Sequence, residues 1–139
     1  MWYRILLCIW AVLLVLDIPW VMLNTKIGIY AGWVNGTVSN RVAVSGLWLV
    51  ISFLLAMMLT AILFYVPRDK AVMLCIFFGF TVYFVFNATS LVMFKWSIFS
   101  AIGDTMWGAM LCGAAGAVGW ALMQKWRTVD PAIVNPAAL

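Results

Sequence analysis

The sequence predicts an all-α integral membrane protein, a bundle of four transmembrane helices, on three observations. Of its 139 residues, 68% are hydrophobic and 9% are charged, against roughly 45 to 50% apolar residues in a soluble domain. Four apolar stretches follow one another, each of about 20 residues and therefore able to cross a hydrocarbon core of about 30 Å. Short polar segments separate them, so residues 1–139 read as a single four-helix membrane domain.

The first span is expected over 5–23, after the head Met1-Trp2-Tyr3-Arg4. Its basic start is like that of a signal peptide, but the apolar run is too long and no small-x-small site follows, so it reads as a retained helix. Pro19 has no backbone N–H and crowds the carbonyl one turn back. The helix is therefore expected to loosen beside Asp17 and to leave the Val15 carbonyl to another partner. Residues 24–41 mix Gly28, Gly32 and Gly36 with Tyr30 and Trp33, an interfacial composition whose rings favour the headgroup level. Asn35-Gly36-Thr37 matches a glycosylation acceptor, which matters where the loop faces a secretory lumen. The second span covers 42–66 and ends at Pro67-Arg68-Asp69-Lys70, and the third covers 71–93. Phe94-Lys95-Trp96-Ser97 makes a tight connection to the fourth span, 98–123. Gln124-Lys125-Trp126-Arg127 closes that span at an interface, and Pro131 and Pro136 mark an irregular tail over 128–139.

Basic residues orient the bundle. Arg4, Arg68, Lys70, Lys125 and Arg127 fall on one side, and Lys26, Arg41 and Lys95 on the other. The excess predicts both termini in the cytoplasm. With no run of like charge, the net charge of +4 does not point to nucleic acid. The chain has no His, and Cys8, Cys75 and Cys112 are far apart, so no metal site or redox pair is expected and the thiols read as buried and inert. No cofactor is expected either, in the absence of a haem-ligating His or a phosphate-cradling glycine loop. Trp2, Trp33, Trp96, Trp120 and Trp126 fit two interfacial belts, and the nine Met residues read as lipid-facing or packing surface.

Asp17 and Asp104 stand out against this background. Each lies inside an apolar run with a Trp three residues later, Trp20 and Trp107. An ionisable group in hydrocarbon costs at least about 2.5 to 3.5 kcal/mol on insertion scales. Under the expected topology Asp17, Asn87 and Asp104 all fall about six residues from the same membrane face, or roughly 9 Å deep at a rise of about 1.5 Å per residue. One shared polar site is the expectation, with Trp20 and Trp107 on the faces of their acids and Lys95 as the nearest counter-charge. Against this stands simple interhelical adhesion, worth about 0.6 to 2 kcal/mol per bond. On the fourth helix, Gly108, Gly113, Gly116 and Gly119 alternate with alanines. Ala109, Gly113, Ala117 and Ala121 recur every four residues, which predicts a bare face, including Gly116, for close packing against a helix of the same chain or of a second copy.

Three segments carry a family likeness: Leu16-Asp17 with Trp20, Phe86-Asn87-Ala88-Thr89-Ser90-Leu91 leading to Lys95-Trp96, and Asp104 with Trp107-Gly108. Their order and spacing resemble the uncharacterised small membrane proteins grouped as domain of unknown function 2177. That family's patterns read Leu-Asp-x-x-Trp, Tyr-Asp-Leu-Thr-Asn-Leu leading to Lys-Gly-Trp, and Asp-x-x-Trp-Gly. Asn87 stands where the family has Asp, Ser90 where it has Asn, and the Gly after Lys95 is missing. The resemblance implies four helices with the same polar positions and brings no activity with it.

Three functions compete at this level. The first is a site for a cation, a proton or a polar lipid head at Asp17, Asn87 and Asp104, in a membrane protein that contacts lipid and assembles as a homo-oligomer. The second is an accessory subunit of a larger membrane complex. A lipid-modifying enzyme with one Asp as general acid or base is third, and the lack of His, Glu or a poised nucleophile argues against catalysis.

Overall fold

The structure, a computed structural model, describes residues 1–26, 38–94 and 97–129. Four helices make up nearly all of them: α1 (Trp2–Lys26), α2 (Val38–Tyr65), α3 (Arg68–Phe94) and α4 (Ile98–Val129). Each is long and apolar enough to cross a membrane. The chain is thus an all-α, multi-pass membrane bundle, with no strand among the described residues.

Local chemistry sets the helix ends. The Val66 N–H donates to the Ile62 carbonyl at 3.0 Å, and Pro67, lacking an N–H, cannot continue that ladder. Pro67 instead opens α3, where its carbonyl accepts from the N–H groups of Lys70 and Ala71 at 3.0 and 3.1 Å. Asp69 adds negative charge to that first turn, where the helix dipole favours it. Ser97 caps α4: its Oγ accepts from the Ser100 N–H at 3.2 Å and its carbonyl from the Ala101 N–H at 3.1 Å.

The helices outrun the apolar stretches. Where hydropathy suggests a loop over 24–41, α1 continues to Lys26 and α2 begins at Val38. Similarly, Gln124-Lys125-Trp126-Arg127 extends α4, because Gln, Lys and Arg are good helix formers and no breaker precedes Pro131. Pro19 lies inside α1 without ending it. Residues 27–37, 95–96 and 130–139 lie outside the described residues, and with them Trp33, Asn35, Lys95, Trp96 and most of the expected tail.

Helix α4 packs against all three others, most extensively against α3; α1 also packs on α2 and α2 on α3, while α1 and α3 share little contact. Small residues explain the closeness of α3 and α4. A Cβ built on Gly79 of α3 would lie 2.5 Å from Cys112 Cβ and 2.6 Å from the Gly108 carbonyl oxygen. One turn along, a Cβ on Gly116 would lie 2.8 Å from Cys75 Cβ, and one turn the other way a Cβ on Gly108 would strike the Tyr83 ring. Small thus faces large at each successive turn of the antiparallel pair, and the two backbones approach closely.

The small face differs in part from the every-fourth-residue pattern. Ala109, Gly113 and Gly116 are buried, whereas Ala117 and Ala121 are exposed. Four residues advance a helix about 40° beyond a full turn, so three such steps rotate by about 120° and leave the seam. The buried line mixes steps of three and four, through Gly108, Cys112, Gly116, Gly119 and Met123. Cys75 and Cys112 are buried in this packing and Cys8 is half-buried, all three as free thiols.

Candidate functional site

At one end of the bundle the inward-facing stripes turn from apolar to polar. On α1, Ile5, Ile9 and Leu13 are fully buried, and the same face continues through Asp17, Trp20 and Asn24 at helical spacing. On α4, Cys112 and Gly108 give way toward the N-terminus to Thr105 and Asp104, and on α3 the buried line through Cys75 and Gly79 reaches Asn87 and Ser90. Helix α2 adds Ser52 and Trp48 beyond Ala56. These positions lie toward the C-termini of α1 and α3 and the N-termini of α2 and α4, which is one end of an up-and-down bundle.

The two acids are 8% and 6% exposed at Asp17 and Asp104, and their hydrogen bonds cross between helices. Trp20 Nε1 donates to Asp104 Oδ1 at 2.8 Å, and Trp107 Nε1 donates to Asp17 Oδ1 at 3.2 Å. Each indole therefore serves the acid of the other helix. The two rings stack between the acids with centroids 4.8 Å apart and planes 11° apart. Antiparallel geometry explains the exchange. In each Asp-x-x-Trp segment the Trp lies about 4.5 Å toward the helix C-terminus from its acid at a rise of about 1.5 Å per residue. Two such segments running oppositely place each Trp level with the other's acid. By this argument the acids are offset by about 4.5 Å along the bundle axis, which refines the single depth expected from their positions in sequence.

A third indole completes the arrangement. Trp48 Nε1 of α2 donates to Asp17 Oδ2 at 2.9 Å, so both oxygens of Asp17 accept from tryptophan. Hydrogen bonds to an ionised group contribute about 1.5 to 3 kcal/mol each, and an aromatic stack adds about 0.5 to 1.5 kcal/mol. Indole N–H groups are neutral, so they solvate the carboxylate without supplying positive charge. Among the described residues no cationic side chain is bonded to Asp17.

Asn87 occupies a neighbouring position and bonds to neither acid. Its Nδ2 donates to Thr105 Oγ1 at 3.0 Å, across the seam between α3 and α4. Thr105 follows Asp104 in the chain, so the amide is held against the Asp104 segment of α4 on the side that packs against α3. Asn87 Oδ1 is buried without a hydrogen-bond donor, a state that costs about 1 to 3 kcal/mol. Asn24 is buried as well, and its Nδ2 donates to the Trp20 carbonyl at 2.8 Å, which ties off the end of α1.

Of the residues singled out in the sequence, the structure brings Asp17, Trp20, Asp104 and Trp107 into one bonded unit and sets Asn87 beside it. Lys95 lies outside the described residues. Trp48 and Thr105 are the additions. A signal for Trp48 exists in hindsight: it stands four and eight residues before Ser52 and Ala56, on the buried stripe of α2 and away from either end of that apolar run. Trp10 behaves similarly, as its Nε1 donates to Ser52 Oγ at 3.0 Å.

No protein-family model matches this chain, and neither does any curated protein or solved structure.

Proposed function

We propose that the Asp17–Asp104 couple binds a positively charged occupant, whether a cation, a proton or the charged head of a lipid, within a multi-pass membrane protein. The observation that carries this reading is Asp17 itself, 8% exposed and held by two neutral indole N–H groups. The two indole bonds solvate the carboxylate but leave its negative charge unbalanced in a low-dielectric site, where a buried charge is stable when paired as well as hydrogen-bonded, and an occupant bearing positive charge supplies that pairing. Membership of the family that the sequence resembles belongs to the same proposal. So do the cytoplasmic termini, argued from the five Lys and Arg on that side.

Tryptophan emission tests the proposal, because three indoles are bonded to the two acids. Purified protein in mild detergent is titrated with acid, with sodium chloride and with methylammonium chloride. At least one titration is expected to shift the emission of the natural protein, and Asp17→Asn is expected to abolish that shift while helical circular dichroism stays unchanged. An unresponsive natural protein, or a folded Asp17→Asn variant with the full response, would reject the reading.

A further inference from the structure

The end of the bundle opposite the acids carries a cation held by its neighbour. Arg4 is exposed in the first turn of α1. Its Nε–H donates to Tyr3 Oη at 3.3 Å, and its Cζ lies 5.8 Å from the centroid of the Tyr3 ring, within reach of a cation–π attraction. A guanidinium offers five N–H donors in a planar fork. Tyr3 takes one, and among the described residues no acceptor meets those on the two Nη nitrogens. The first membrane span begins at Trp2, so Arg4 stands at headgroup level beside the exposed rings of Trp2 and Tyr3, where lipid phosphate is the abundant acceptor.

Below Arg4 the surface is apolar. Leu7, Ala11, Val15 and Ile18 follow it in steps of three and four and are all exposed, so they line one outward stripe of α1. Ala11 is the smallest of them, which leaves the stripe lowest between Leu7 and Val15. We propose that this face of α1 binds an anionic phospholipid, with its phosphate on the Arg4 guanidinium and one acyl chain along Leu7, Ala11 and Val15. Arg suits the task because its planar fork matches two phosphate oxygens at once. Charge selects the anionic head. The charged side chains described at this end are Arg4, Asp69, Lys70 and Lys125, three cations against one acid, an excess that attracts anionic lipid. Lys70 also heads an exposed apolar stripe, Met73, Leu74 and Phe77. Asp69 beside it offsets its charge, however, and among the described residues no side-chain contact holds its ammonium in place. The lipid site shares no residue with the Asp17–Asp104 unit and stands or falls separately from it.

Mass spectrometry of the intact chain, released from mild detergent, counts bound lipid directly. The protein is equilibrated with equal amounts of phosphatidylglycerol and phosphatidylcholine that carry the same acyl chains. The natural protein is expected to retain phosphatidylglycerol over phosphatidylcholine by about fivefold, the effect of one basic residue near a membrane surface. Arg4→Gln is expected to remove that preference, and Lys70→Gln to keep it. A natural protein without preference overturns the proposal, as does an Arg4→Gln variant that retains it. If Lys70→Gln loses the preference as far as Arg4→Gln does, the selectivity belongs to the basic end as a whole and the Arg4 site falls. Sodium phosphate supplies the last comparison, against sodium chloride of equal ionic strength. Displacement of phosphatidylglycerol by phosphate alone would assign the Arg4 fork to a free anion and overturn the lipid, whereas equal retention in both salts supports it. The comparisons of lipids and of salts use the natural protein and need no variant to fold.

Discussion

The crossed hydrogen bonds between α1 and α4 make a prediction that a sequence-local arrangement does not. Trp107→Phe keeps the stacked ring and removes one N–H, and Asp17→Leu keeps approximate size and removes the acceptor. The double-mutant cycle over these two positions isolates the bond. A charged hydrogen bond in water-soluble proteins contributes about 1.5 to 3 kcal/mol, whereas cycles in a membrane protein average about 0.6 kcal/mol and reach about 1.7, because the unfolded chain in the membrane also finds partners. The 3.2 Å bond from Trp107 shares its carboxylate with Trp48, so a coupling near 0.6 kcal/mol, the membrane average, is expected. At 2.8 Å the Trp20–Asp104 bond is shorter, and about 1.5 kcal/mol, near the membrane maximum, is expected. Same-helix pairs, Trp20 with Asp17 and Trp107 with Asp104, are expected to couple by less than about 0.3 kcal/mol, the range of weak helix-surface pairs. Reversible unfolding in mixed micelles, followed by helical circular dichroism, supplies all four cycles. Equal or stronger coupling within a helix would show that the crossed pairing is wrong.

Packing predictions separate the two faces of α4. Gly79→Ala forces a methyl against Cys112 Cβ and the Gly108 carbonyl oxygen at 2.5 and 2.6 Å, and since a backbone atom cannot step aside, a loss of about 1 to 3 kcal/mol is expected in the same unfolding assay. Ala121→Leu, on the exposed side, is expected to stay within about 0.5 kcal/mol of the natural protein; a loss as large as that of Gly79→Ala would place Ala121 in a contact of its own. Asn87→Leu removes both the unmet buried acceptor and the 3.0 Å bond from Nδ2 to Thr105; the two effects oppose each other, and a net change within about 1 kcal/mol is expected in the same unfolding assay. A loss of about 3 kcal/mol or more would instead show that Oδ1 has a donor in the folded protein.

The fold was legible because a span of hydrocarbon-compatible residues needs no knowledge of its neighbours to be recognised. Helix ends were less so: the water–lipid boundary stops hydropathy but not backbone hydrogen bonding, and α4 runs on through Lys125 and Arg127. Asp17 and Asp104 were visible as ionisable residues in apolar runs, and Asn87 as their companion at similar depth. Their pairing was not visible, since spacing rules within one helix connect Asp17 with Trp20 and never with Trp107. Trp48 escaped notice for a related reason: an indole at a membrane boundary and one that reaches inward to a carboxylate are the same letter, and the acid that claims it lies on another helix. Ala117 and Ala121 lie outside the seam within the chain because a four-residue repeat drifts around a helix of about 3.6 residues per turn.

Crossing also determines what an occupant of the site can influence. Were each tryptophan bonded to the acid of its own helix, a change of charge at Asp17 would be felt within α1 alone. As built, Asp17 is gripped from α2 by Trp48 and from α4 by Trp107, while Asp104 of α4 is gripped from α1 by Trp20. Neutralising either acid weakens contacts between helices and leaves the helices themselves intact. If the proposed cation binds and keeps both acids ionised, it strengthens three interhelical bonds together, and its binding is linked to assembly of the α1–α2–α4 end of the bundle. Mass action sets the scale: an occupant at about 100 times its dissociation constant stabilises the folded bundle by about 2.7 kcal/mol, comparable to the sum of the two cycle couplings expected here. Binding and bundle stability should accordingly rise and fall together at this site, whereas a ligand held on the lipid-facing surface would leave those interhelical bonds unchanged.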